Sequence, residues 1–340
     1  MKKYRVNWRL ISIIASIFPF VIIIFQFNIG INDIMSIGIL PFVVASSFII
    51  VRLIIQGIKF NYVLNSFFGK IDTIWKIILI RMGSEFVTFT TPMFVGGEIV
   101  RIAWLKKKKV PTGKASWMTI VEIVTEVIAA GVFAIISGIF ALLQGSIFIG
   151  SLVLLTSIPV ISLWTVLFFF SSKKIFEVPN FISILIIKLG KKRGRKYIYK
   201  TNLWIKDICI ISQDNLHTRK MKKTFIISFI LSLVAWSFYG MSFIFIAHSI
   251  NYDVHIFDSV LAVMASNAIG NMPITVGGSG LAELGIWAYL ENHDTLDFEL
   301  SKDKMLWNGI IVWRISTYHI PIAITWFLLV KLALSKYAKK

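Results

Sequence analysis

The chain has 340 residues, of which 56% are hydrophobic and only 16% charged, and its mean hydropathy is +0.78. A soluble globular domain carries about 25% charged residues to cover its surface, so this composition excludes a water-exposed fold and requires apolar residues to face lipid. Lys and Arg number 36 against 17 Asp and Glu, a formal net charge of +19. The positive residues fall in short runs beside apolar segments: Lys2–Lys3, Lys106–Lys109, Lys191–Lys196, Arg219–Lys223 and Lys339–Lys340. That placement fits cytoplasmic loops and anionic lipid headgroups. It argues against nucleic acid as a partner, which needs a soluble basic face.

About 20 apolar residues at 1.5 Å per residue cross a hydrocarbon core of about 30 Å. Six segments meet that length: Leu10–Phe27, Ile34–Gln56, Ser116–Leu143, Ile147–Phe170, Phe225–Ala247 and Leu306–Val330. The first is long for a signal-peptide core and no small-residue cleavage pattern follows it, so it reads as a retained span. Pro19, Pro41, Pro159 and Pro321 lie within spans, where neighbouring helices can satisfy the freed carbonyls.

Two further apolar stretches are interrupted. Thr73–Leu105 contains Pro92 and Gly96–Gly97, and Ile256–Leu290 contains Pro273, Gly277–Gly278 and Gly280. Pro removes a backbone donor and Gly weakens a helix, so each stretch is expected to form a helix, a break and a second helix, as a re-entrant hairpin. With the N-terminus in the cytoplasm, the first hairpin begins and ends inside, near Lys59, Lys70, Lys76 and Lys106–Lys109. The second begins and ends outside, next to the acidic Glu291–Glu299 loop. The Ser172–Lys223 connector holds 14 Lys and Arg against three acids, which assigns it and both termini to the cytoplasm of a cell-membrane protein. Within it, Tyr197, Trp204, Ile205, Ile208 and Ile211 share one helical face. That helix lies on the membrane surface or caps the bundle.

The breaks share a local sequence. Pro92-Met93-Phe94-Val95-Gly96-Gly97 parallels Pro273-Ile274-Thr275-Val276-Gly277-Gly278, 181 residues apart. The units around them start on opposite sides of the membrane, which makes them inverted repeats of the kind seen in transporters. The expected fold is therefore all-α and polytopic, with about six full transmembrane helices plus two re-entrant hairpins. It forms a single domain over 1–340, with halves at 1–171 and 224–340 and the connector at 172–223. Amides left unpaired at the breaks would bind anions where they line a cavity; the alternative is that both breaks serve tight packing.

Ionisable residues at bilayer depth cost about 2.5–3.5 kcal/mol each on insertion scales, so they face protein or water. Arg81 and Glu85 are spaced i,i+4, Glu98 and Arg101 i,i+3 just after the first Gly pair, and Glu122 and Glu126 i,i+4 in the third span. Glu283 follows the second Gly cluster and Arg314 lies in the final span. Arg81 or Arg101 packed against Glu122 and Glu126 would neutralise that pair; otherwise the two carboxylates share a proton. No phosphate-binding loop, nucleophile elbow or metal-binding helix occurs. Cys209 stands alone, so no disulfide, metal or cofactor is expected and enzymatic chemistry receives no positive support.

These residues carry a family resemblance. Pro92…Gly97-Glu98…Arg101…Leu105 with Gly113…Ala115…Glu122…Glu126 resembles the first signature of the lysylphosphatidylglycerol synthase transmembrane-region family. Pro273…Gly277-Gly278…Gly280…Glu283 with Trp313-Arg314…Tyr318…Pro321 is similar to its second. The chain departs from that pattern at Glu126, where many members are expected to carry Asp. In two-part members this region is regarded as a lipid flippase joined to a soluble synthase. The resemblance therefore implies a stand-alone translocator of a membrane phospholipid or polyprenyl-phosphate lipid, aminoacylated or not, acting alone, as a homo-oligomer or beside a separate synthase partner. In it, Arg101 and Arg314 would engage phosphate, Glu98 and Glu283 would orient those arginines or meet a cationic headgroup, and the Gly pairs would expose amides. The rival readings are a secondary transporter of a small solute and the membrane component of a phosphatidylglycerol lysyltransferase-type system.

Overall fold

A computed structural model describes residues 31–91, 96–272, 275, 277–291 and 304–334. The expected first span, Pro92, Pro273 and the acidic loop after Glu291 lie outside the described residues. Among them the regular secondary structure is all helical, with no strand.

A short helix α1 (Ile31–Ser36) leads into α2 (Ile39–Phe68). The first hairpin consists of α3 (Ile74–Phe89) and α4 (Gly97–Lys107). Two long antiparallel helices follow, α5 (Thr112–Leu143) and α6 (Ile147–Phe170), then the connector α7 (Asn180–Asn215), two helical segments joined by a kink at Lys191. The second half comprises α8 (Arg219–Gly240), α9 (Ile244–Ser249), the second hairpin α10 (Ile256–Gly270) and α11 (Leu281–Leu290), then α12 (Lys304–Arg314) and α13 (Ile320–Leu334). Among the described residues, five stretches are long and apolar enough to cross a bilayer: Ile39–Phe68, Thr112–Leu143, Ile147–Phe170, Arg219–Ser249 and Met305–Leu332. The protein is an all-α membrane protein.

The second span differs from its expected bounds. Hydropathy ends it at Gln56 and sets Lys59 in the cytoplasm, whereas α2 runs on to Phe68 with Lys59 fully buried. The helix continues because the Lys59 ammonium meets a carboxylate inside the bundle, a compensation that hydropathy does not register.

Lipid is as apolar as a leucine side chain, so helices in a membrane are held by close packing at small residues. Gly57 on α2 backs onto Ile78 of α3, and Gly83 of α3 onto Leu329 of α13. A Cβ on Gly150 of α6 would come 2.8 Å from the Gly138 carbonyl oxygen of α5. Much of the outward face of α6, including Leu155 and Leu163, is exposed, as a lipid-facing surface requires. Along the connector, α7 rests on α5: Trp204 Nε1 donates to Ser116 Oγ at 2.9 Å, and Gly113 backs onto Asp207. Ile198, Ile208 and Cys209 are buried there, while Tyr197 is exposed.

Each hairpin begins and ends at one end of the bundle, and the two use opposite ends. Asp72, before α3, pairs with Lys108, after α4, at 2.7 Å. Burial pushes the Asp72 carboxyl up, but Lys108, the Thr73 amide and Lys76 outweigh it and hold its pKa below the usual value. Both ends of the second hairpin, at His255, Asp258, Tyr289 and Leu290, line a cavity of about 450 Å³ beside Gln144. Gln144 and Gly113 lie at opposite ends of α5.

Inside the second hairpin, Gly285 lets α11 lie directly on α10: a Cβ there would stand 2.7 Å from Ser266 Cα. Gly285→Ala is expected to lower the detergent melting midpoint, reflecting about 1–3 kcal/mol of overpacking. Gly190→Ala, where a Cβ meets nothing within 4 Å, is the control and is expected to leave the midpoint in place.

Candidate functional site

The backbone of the two breaks explains their glycines. Gly96 has φ +139, Gly277 +63, Gly278 +67 and Gly280 +84, values that a side chain disfavours. Gly97 has an ordinary φ but no room: a Cβ would lie 2.8 Å from the Ser84 carbonyl oxygen. A Cβ on Gly278 would lie 2.6 Å from the Gly270 carbonyl oxygen, and one on Gly277 would overlap the Tyr318 hydroxyl.

Each break is followed by a glutamate that caps its own helix. Glu98 Oε2 accepts from the Gly96 amide at 2.6 Å, and Glu283 Oε2 from the Gly280 amide at 2.8 Å. A carboxylate at a helix N-terminus satisfies an orphan donor and the positive end of the macrodipole. The Gly pairs were expected to expose amides to an anion; at Gly96 the protein's own Glu98 takes that amide.

The remaining carboxylate oxygens face arginines. Glu98 Oε1 lies 3.4 Å from Arg101 Nη2, and Glu283 Oε1 lies 2.9 Å from Arg314 Nε. Arg314 also donates to the Gly277 carbonyl and stacks 4.0 Å from the centre of the Tyr318 ring. A π-turn at Ile315–His319, directly after Arg314, carries Tyr318, whose hydroxyl donates to the Phe89 carbonyl at 2.9 Å. Phe89 ends α3, so this bond joins the first break to the second.

Behind the first break lies a continuous ionic cluster. Arg81 pairs with Glu85 one turn along α3, with Glu122 Oε1 at 2.6 Å and with Glu126 Oε2 at 3.1 Å. Arg101 Nε lies 3.4 Å from Glu122 Oε2, an ionic contact without hydrogen-bond geometry. Arg81 thus neutralises the Glu122–Glu126 pair, with Arg101 beside it. Arg81, Glu85, Arg101 and Glu122 are buried, whereas Glu98 and Glu126 keep about a fifth of their surface.

α2 contributes residues absent from the sequence-based site. Lys59 Nζ lies 3.0 Å from Glu126 Oε2 and 3.1 Å from Ser232 Oγ, and Gln56 Nε2 donates to Glu126 Oε1. Arg52, two turns away, lies over the rings of Trp236 and Tyr239. Arg52, Gln56 and Lys59 are spaced i,i+4,i+7, which sets them on one face of a helix. That spacing was the available signal, hidden because Lys59 reads as a span-ending cation.

Removing one partner of a buried pair strands the other charge, at a cost of about 3–5 kcal/mol. Arg314→Gln is expected to destabilise on that order, and Glu283→Gln added to it should restore part of the loss. Melting curves of the single and double variants test the pair; an unchanged midpoint in Arg314→Gln would exclude it.

Among known proteins, residues 10–293 match the family described as the lysylphosphatidylglycerol synthase TM region. The match includes both breaks and every carboxylate above, and it ends before Arg314 and Tyr318. The chain is similar to a protein of Archaeoglobus fulgidus described as a UPF0104 membrane protein, with 23% identity over 268 residues covering 76% of each chain. No solved structure matches it. With its family signature running through both broken hairpins and the charges behind them, the chain belongs to the lysylphosphatidylglycerol synthase transmembrane-region family.

Proposed function

We propose that this protein moves a phosphate-bearing lipid between the leaflets of the cell membrane, along the polar region where its two hairpins meet. The observation that carries this reading is the hydrogen bond from Tyr318 to the Phe89 carbonyl. It ties together two breaks reached from opposite ends of the bundle, each flanked by buried charge. A headgroup crossing about 30 Å of hydrocarbon needs polar partners at depth, and broken helices meeting near the midplane supply them in inverted-repeat transporters. The family's description supports a lipid of the phosphatidylglycerol class as cargo.

In this reading Arg101 is the phosphate contact of the first break, because its Nε and Nη1 are buried without hydrogen-bond partners. Arg314 and Glu283 shape the second break. Glu98 and Glu126, which retain some exposure, meet a cationic headgroup where the lipid carries one. Arg81, Glu85 and Glu122 hold the wall. The basic end of the bundle, with Lys106–Lys109, faces the cytoplasm, where anionic headgroups meet it.

Transport is tested in liposomes carrying a fluorescent phosphatidylglycerol quenched from outside. Wild type should expose label from both leaflets, while Gly97→Val, Gly278→Val and Arg101→Gln, checked as monodisperse, should leave the inner leaflet protected. Full activity in all three would reduce the breaks to packing devices. Orientation is tested in a Cys209→Ser background: a cysteine at Asp253 should react with an impermeant thiol reagent applied to cells, and one at Lys107 should not. Reaction at Lys107 would invert the scheme.

A further inference from the structure

Five basic side chains are buried among the described residues: Arg52, Lys59, Arg81, Arg101 and Arg314. Four of them lie within 3.4 Å of a carboxylate. Arg52 has no such partner among the described residues. It is only 8% exposed, and 13 positions beyond Ile39, at about 1.5 Å each, it sits about 20 Å along α2, at bilayer depth. A desolvated cation there is costly unless something compensates it.

The compensation it does have is aromatic. The guanidinium lies 4.2 Å from the centre of the Trp236 ring and 4.6 Å from that of Tyr239, both on α8. Stacking uses the faces of a guanidinium and leaves its N–H edge for planar oxyanions. Arg52 Nε is buried with no hydrogen-bond partner, and so is Nε1 of Trp236 beside it. Indole N–H and guanidinium N–H are donors only. Two unsatisfied donors and a positive charge held together at one place call for a ligand made of acceptors.

We propose that Arg52 and Trp236 form an anion subsite for a phosphodiester or phosphate group, with the Tyr239 ring as its floor. The assignment rests on the lipid-transport reading for its place on the route, but the subsite stands on its own donors. It also answers what the breaks leave open: the Gly96 and Gly280 amides are taken by Glu98 and Glu283, so side chains rather than helix-end amides meet the anion, Arg52 among them. The opposing account is that Arg52 acts only as a distant counter-charge to Glu126, whose electrostatics it reaches without contact.

Binding of dioctanoyl phosphatidylglycerol, dioctanoylglycerol and inorganic phosphate to the full chain in neutral detergent separates these accounts. Wild type should bind the phospholipid and not the phosphate-free lipid. Arg52→Gln should weaken that binding about ten-fold or more, as loss of a charge-assisted hydrogen bond does, with the lipid-free melting midpoint held. Trp236→Phe, which keeps a ring under the guanidinium and deletes the N–H, should weaken it several-fold. Inorganic phosphate competing in wild type but not in Arg52→Gln would support the same subsite with a free anion as occupant. Equal affinity in wild type and Arg52→Gln would overturn the proposal. So would a lipid-free destabilisation in Arg52→Gln that Glu126→Gln reverses with binding intact. Arg52-dependent binding without lipid translocation in liposomes would remove the transport reading and leave the subsite standing.

Discussion

Everything around the first hairpin depends on Arg81. A guanidinium buried in a bundle surrounded by lipid has no water to solvate it, so carboxylates must. Arg81 meets three: Glu85 from its own helix, and Glu122 and Glu126 from α5. Because α5 is a full-length span and α3 is not, this node anchors the short helix to a long one. Glu122 passes the link on to Arg101 and so to α4, and Glu126 passes it to Lys59 on α2. One buried charge thereby organises four helices. Such an arrangement contributes more to the positions of these helices than to net stability, since desolvation offsets much of the Coulomb attraction.

The second break uses the same parts in a smaller version. A glutamate just inside the new helix caps the break with one oxygen and faces an arginine with the other, as Glu283 does with Gly280 and Arg314, and as Glu98 does with Gly96 and Arg101. The partners differ in origin: Arg101 belongs to the hairpin itself, while Arg314 comes from the following span. The second break is therefore tied to a separate span, next to a π-turn. Such turns are frequent at functional sites. Tyr318, on that turn, carries the link back to the first break.

Local physics made much of this readable from the chain. The Gly pairs that interrupt two apolar stretches marked the ends of the helices there, because a glycine's backbone freedom acts where it stands. The i,i+4 and i,i+3 spacing of Arg81 with Glu85 and of Glu98 with Arg101 marked real pairs, because helical geometry brings such residues together. Lys59 was misread for the complementary reason. A lysine between apolar residues looks like the end of a span unless its counter-charge is known, and Glu126 lies 67 residues further on.

Composition, hydropathy and charge asymmetry are sums over neighbours, so the membrane setting, the helical class, the two breaks and the pool of buried charges follow from the chain alone. Which cation meets which carboxylate is a matter of distances between helices, and only the folded bundle decides it. The bundle paired Lys59 with Glu126, covered the Gly96 amide that looked free, and brought Arg52 onto Trp236 and Tyr239 with its Nε unsatisfied. In a low-dielectric interior the energy of a charge depends on contacts a few ångströms away, and those contacts come from residues far along the sequence.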